Sequence, residues 1–144
     1  MEELQTLRTF MEQGRYTEAL DLIGEMEEMS RDDKINKVFS YAEILLIHLI
    51  KQHAEGRITR SSNASIRNSV YKINYINKRR SAGGYYLNDK ELARAVHDAW
   101  EPALLRASVE AFEGRYDDAE LAGIVDQAAV ESEAMEMIRR EKRH

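Results

Sequence analysis

His48, Lys51, Glu25 and Glu27 are the residues of this chain whose types and spacing could do acid–base chemistry. His48 follows Leu45 by three positions, Ile44 by four and Tyr41 by seven, which puts it on the apolar face of a helix. Lys51 stands three residues further along the same stripe. Glu25 and Glu27 flank the apolar face of the preceding helical segment on opposite sides. If the two segments form separate helices packed antiparallel, a carboxylate meets His48 or Lys51. That arrangement would be a general acid–base pair or half a metal site. A buried histidine satisfied by one carboxylate, fixing helix register, produces the same pattern. Metal sites in helical bundles use a Glu-x-x-His pair, whereas Glu43 and His48 are five apart and on different faces. No metal site is therefore assigned. His53 and His97 read as surface or boundary histidines.

The second constellation is electrostatic. Lys51 to Arg80 carries eight Lys/Arg and one carboxylate, Glu55, inside a chain whose net charge is −5. A basic surface on an acidic body can bind phosphate, nucleic acid or an acidic protein, or can pair with the acidic helices of its own fold. Within this segment Arg67, Tyr71, Asn74, Tyr75 and Lys78 fall within about 100° of helical arc. That stripe lies opposite Ile66, Val70, Ile73 and Ile76, so it is expected to face outward. Basic side chains there would reach phosphates or carboxylates, and the tyrosines would add flat apolar area. The candidate binding residues are Arg67, Tyr71, Lys72, Tyr75, Lys78, Arg79 and Arg80.

Several classes lack their motif. Gly83-Gly84 is followed by Tyr85-Tyr86-Leu87 and has no Lys-Ser/Thr, so it is not a phosphate-cradling loop. With no cysteine there is no disulfide, thiol nucleophile or thiolate metal site. No nucleophile elbow and no His-Glu-x-x-His occur, and no cofactor is called for. The strongest apolar run, Ile44 to Ile50, is far shorter than the roughly 20 residues that span a bilayer. The opening Met1-Glu2-Glu3-Leu4 lacks the basic and apolar parts of a signal peptide. A soluble, cytoplasmic protein with no membrane partner is expected, its oligomeric state open and a homodimer possible.

The elements that position these residues are helical throughout. With 144 residues, 43% hydrophobic content, one proline and seven glycines, the chain suits a single all-α domain of five or six helices. The spacing predicts helices over about 2–13, from 16 or 17 to Met29, from Ser30 to Glu55, and from Ser62 to Arg80. Others are predicted from Asp89 to Gly114, kinked or restarted at Pro102, and over 117–140, weakened at Gly123. A core bundle of about 17–113 with a C-terminal extension of 117–140 is expected, its charged end, Arg139 to His144, frayed. Gly14-Arg15-Tyr16 and Gly114-Arg115-Tyr116 echo each other 100 residues apart. They read as two instances of one helix-turn-helix solution rather than a repeat array.

Residues Leu22 to Phe112 also carry a family resemblance. Leu22-Ile23-Gly24-Glu25-Met26-Glu27-Glu28-Met29-Ser30 resembles the opening signature of the bacterial Domain of Unknown Function 29 family. His48-Leu49-Ile50-Lys51 is similar to its His-Leu-Leu-Lys. Arg60-Ser61-Ser62 and Ser65-Ile66-Arg67-Asn68 resemble its Arg-Ser-x-Ser-Trp and Thr-Ile-Arg. Ala103 to Phe112 is similar to its next Ala-rich helix, and Asn63 stands near the place of the family's tryptophan. The short, Glu-Met-rich form is similar to the cyanobacterial branch. The resemblance implies an all-helical bundle with Glu25, Glu27, His48, Lys51 and Arg67 as positions of interest, and it brings no established activity. Two functions are expected from the residues: foremost a non-enzymatic binding or regulatory module using the basic surface, and second a metal-dependent or acid–base hydrolase, nuclease-like, with His48 as base and Lys51 as anion stabiliser.

Overall fold

The computed structural model describes residues 2–79 and 83–143; Arg80, one of the candidate binding residues, lies outside the described residues. The described residues are all-α, with no strand among them. Seven α-helices run in the order α1 (Glu2–Glu12), α2 (Tyr16–Glu55), α3 (Arg60–Asn77), α4 (Asp89–Asp98), α5 (Trp100–Glu110), α6 (Asp118–Ala122) and α7 (Gln127–Lys142). No helix among them is long and apolar enough to cross a membrane. The chain divides into two compact units, Met1–Lys34 and Ile35–His144.

The first unit is a helical hairpin. α1 stops because Gly14 takes a left-handed conformation (φ +70°). There the Arg15 amide donates to the Phe10 carbonyl at 2.8 Å and the Gly14 amide to Met11 at 3.2 Å. These two bonds satisfy carbonyls that a helix end leaves open. The Arg15 guanidinium sits 4.7 Å from the centroid of the Phe10 ring and shields it. Yet Ala19 is the hairpin's one fully buried residue among those described.

The break expected at Ser30 does not occur. α2 runs unbroken for 40 residues. The Ser30…Asp33 capping pattern loses because its neighbours favour continuation: Glu27–Arg31 and Asp33–Lys37 have the acid-before-base i,i+4 spacing that supports a helix. Without a turn between them, Glu25 and Glu27 share a helix with His48, and the antiparallel pairing expected of them cannot form.

The second unit is built around the end of α2. Leu45, Leu46, Ile47, Leu49 and Ile50 are all buried, covering more than half of the helix circumference. A helix apolar on so many sides must be surrounded. Ile66, Val70 and Ile73 of α3, Leu92 and Val96 of α4, Trp100 and Leu104 of α5, and Val130, Ala134 and Ile138 of α7 complete that core. α7 is therefore core rather than extension.

Two further boundaries have local causes: the helix restarts near Pro102, as expected, and α5 ends at Glu110 rather than Gly114. α4 and α5 are separate helices because Pro102 offers no amide; as the third residue of α5 it falls where a helix has no internal partner for one. After α5, Phe112, Glu113 and Gly114 are successively left-handed (φ 51°, 58° and 75°). The glycine adopts this freely, whereas the two side chains cost about 1 kcal/mol or more each. Phe112 is held there by packing on the core and by Tyr116, edge-on at 5.3 Å.

The connection from α3 to α4 hangs on one amide. Asn77 is fully buried; its Nδ2 donates to the Leu87 carbonyl at 3.1 Å and its Oδ1 accepts from the Leu87 amide at 2.8 Å. The Tyr86 amide donates to the Asn77 carbonyl at 2.9 Å. Asn77→Ala leaves both Leu87 backbone groups buried without partners. Urea unfolding should show a loss of about 1–3 kcal/mol, well beyond the effect of Asn68→Ala on the exposed side of the same helix.

Candidate functional site: the groove between α3 and α7

α3 presents two unlike faces because its apolar and polar positions alternate with the helical period. Ile66, Val70 and Ile73 face the core. Arg67, Tyr71, Tyr75 and Lys78, at spacings of four, four and three, form an exposed stripe. Lys72 is half-buried and Arg79 exposed, its guanidinium 5.5 Å from the Tyr86 ring centroid. Tyr71 and Tyr75, about half exposed (51% and 49%), stack with ring centroids 6.0 Å apart and planes 20° off parallel.

Asn74 is the exception to the expected outward stripe. It is buried (8% exposed), and its Nδ2 donates to the Ile138 carbonyl at 3.0 Å and to Glu141 Oε2 at 2.9 Å. The side chain thus ties α3 to the last turns of α7. Its Oδ1 is buried without a partner, a cost accepted beside two donated bonds.

Between these two helices runs a groove. Its larger part, about 780 Å³, has an apolar floor of Ala64, Ile66, Val70 and Met137, with Arg67, Tyr71, Arg140 and Glu141 at its edges. A smaller part, about 230 Å³, continues past Tyr71 and Tyr75 to Lys78, Tyr85 and Lys142. Lys142 lies 3.9 Å over the Tyr85 ring and 3.6 Å from Asp89, and Arg139 lies 3.4 Å from Asp89. The end of α7 expected to fray is helical through Lys142 and anchored to the start of α4. Arg140, Lys142, Met137 and Tyr85 were therefore missed as site residues. The signal was the basic run Arg139-Arg140-Glu141-Lys142-Arg143, which local sequence alone cannot distinguish from a solvated tail.

His48 and Lys51 belong to a different cluster. With Ile44 and Glu55 they line the half-buried strip of α2 rather than its buried face. His48 Nδ1 lies 3.5 Å from Ser62 Oγ, which also accepts from Gln52 Nε2 at 3.2 Å. Gln52 Nε2 is also 3.2 Å from Asn63 Oδ1. Lys51 Nζ is 3.4 Å from Glu110 Oε1. The structure thus joins the His-Leu-Ile-Lys and Arg-Ser-Ser segments at the start of α3. No group of three metal-ligating side chains occurs among the described residues. Burial, with Lys51 adding to it and Glu110 partly opposing, lowers the His48 pKa below its usual value. The neutral ring can accept a hydrogen bond from the Ser62 hydroxyl, and the cluster clasps α2 to α3. His53 and His97 tie α7 to its neighbours through Glu133 at 2.5 Å and Glu131 at 3.1 Å.

Compared with family models, with curated proteins and with solved structures, the chain matches none. The functional reading rests on the geometry alone.

A histidine whose folded pKa is lowered takes up its proton more readily in the unfolded chain. Its neutral form therefore contributes fully above the unfolded pKa of about 6.5, and that contribution is lost as pH falls from there toward the folded value. Wild-type protein should lose stability from pH 7.5 to 5.5. His48→Gln, which cannot titrate, should lose measurably less in chemical denaturation at the two pH values.

Proposed function

We propose that the protein is a binding module whose α3–α7 groove receives an acidic amphipathic helix of a protein partner. The observation that carries this reading is the pairing of an apolar floor with a basic rim. Ala64, Ile66, Val70 and Met137 offer the seat that a helix's apolar face fills, with Arg67 and Arg140 beside it and Lys78 and Lys142 further along the groove; Glu141 lines both parts, and Glu136 and Asp89 pair with Arg140 and Lys142. Helix-in-groove recognition draws its affinity from such a seat and its orientation from the rim. Nucleic acid would use the same cations and stack on Tyr71 and Tyr75, but would leave the apolar floor unfilled. The reading includes a bacterial setting and kinship with the Domain of Unknown Function 29 family, drawn from the resemblance of the sequence, and a cytoplasmic setting, which suits the cysteine-free composition.

Fluorescence anisotropy separates the two ligands. A labelled helical peptide with leucines at i, i+3, i+4 and i+7 and glutamates elsewhere should bind with Kd on the order of 10 μM. The double variant Arg67→Ala, Arg140→Ala should weaken it about tenfold, roughly 1.4 kcal/mol. A 20-nucleotide single strand should bind more weakly than the peptide. Tighter binding of the oligonucleotide, with a log–log salt slope of about 0.7 per phosphate contacted, would replace the helix by nucleic acid as the ligand.

A further inference from the structure

The hairpin formed by Met1–Lys34 is an unsatisfied element. It holds ten carboxylates and four Lys/Arg, net −6. Glu18, Asp21, Glu25, Glu28 and Asp32 are spaced three and four apart along α2, which makes one acidic stripe. Met29, four residues after Glu25, borders that stripe and is 64% exposed; Leu20 is 67% exposed on another side of the helix. On α1, Leu4 and Met11 are also exposed. Ala19 is the one fully buried residue described there, with Leu7, Phe10, Leu22, Ile23 and Met26 half-buried, which is a small core for a segment of this size. Apolar surface rimmed by charge marks a face that binds something.

Two acidic hairpins would repel each other, so a hairpin-to-hairpin dimer is disfavoured. The complementary surface is the groove of the same chain type: an apolar floor lined by Arg67, Lys78, Arg140 and Lys142 and by one carboxylate, Glu141, with Glu136 and Asp89 paired to Arg140 and Lys142 from outside the lining. We infer that the N-terminal hairpin of one copy docks, through its acidic stripe and bordering Met29, into the α3–α7 groove of a second copy. The inference rests on the helix-in-groove reading above and names the partner as this protein itself. Self-association would then fill the groove, and an external acidic helix would bind only by displacing the second copy's hairpin.

Sedimentation equilibrium of the full-length protein tests this. Wild type should associate with an apparent Kd on the order of 10 μM at about 0.05 M NaCl, and at least about tenfold more weakly at 0.5 M, where charges are screened beyond roughly 4 Å. One variant reverses the hairpin (Asp21→Lys, Glu25→Lys, Glu28→Lys) and another reverses the groove (Arg67→Glu, Arg140→Glu). Each should sediment as a monomer with unchanged helical circular dichroism, and an equimolar mixture should regain association, since one supplies an intact hairpin and the other an intact groove. A wild type that stays monomeric at low salt would overturn the inference, as would a mixture that stays monomeric or a variant that associates on its own as wild type does. The helix-in-groove reading is judged separately, by peptide binding to the hairpin-reversed variant. Binding there with a monomeric wild type would leave that reading standing and remove only the self-docking.

Discussion

The burial of α2 between Val38 and Ile50 is the constraint from which the second unit follows. Five of the six residues from Leu45 to Ile50 are buried, and His48 alone is half-exposed. A helix buried over so wide an arc cannot lie on a surface, so α3, α4, α5 and α7 must enclose it. What remains open is a narrow strip, on which His48, Lys51 and Gln52 are engaged. Glu43 meets Arg106, His48 meets Ser62, Lys51 meets Glu110 and Gln52 meets Asn63. These pairs keep the strip from carrying a bare charge into a low-dielectric setting.

Where α2 supplies the apolar pull, two asparagines supply direction. Asn77 replaces a missing backbone partner for Leu87 and so fixes how the chain leaves α3. Asn74 spends its amide on α7, bringing Arg140 and Lys142 alongside Arg67 and Lys78. The groove is the consequence. Its floor is apolar because Ile66 and Val70 belong to the core, and its rim is basic because both helices carry cations on their outer faces. Mutual repulsion among those cations is eased by Glu141 inside the groove and by Asp89 beyond it.

The charge asymmetry of the chain takes physical form in this way. Met1–Lys34 is net acidic, whereas α3 carries Arg60, Arg67 and Lys72 and no carboxylate, and the bases of α7 gather in its last turns. Each surface combines charge with exposed apolar area, which is the composition of an interface rather than of a solvated face. An acid–base centre at His48 finds less support. Its ring has one hydrogen-bond partner among the described residues, a serine at 3.5 Å, and the nearby Glu110 is engaged with Lys51.

By itself the sequence determined the helical class, the glycine stops at Gly14 and Gly56, the Asn88 cap and the burial of Ile66, Val70 and Ile73 on α3. All of these depend on local backbone preference or on the 3.6-residue period. The exposed stripe of Arg67, Tyr71, Tyr75 and Lys78 was legible for the same reason. Tertiary structure decided the rest. Ser30 caps nothing, because a local capping signal is worth about 1 kcal/mol and a continuous helix outweighs it. Asn74 turned inward because a backbone carbonyl of α7 was there to receive it, which no period encodes. Lys142 became part of the groove beside Asp89, more than 50 residues earlier in the chain. Long-range pairing of this kind depends on which surfaces the core brings together, and a linear pattern does not contain that.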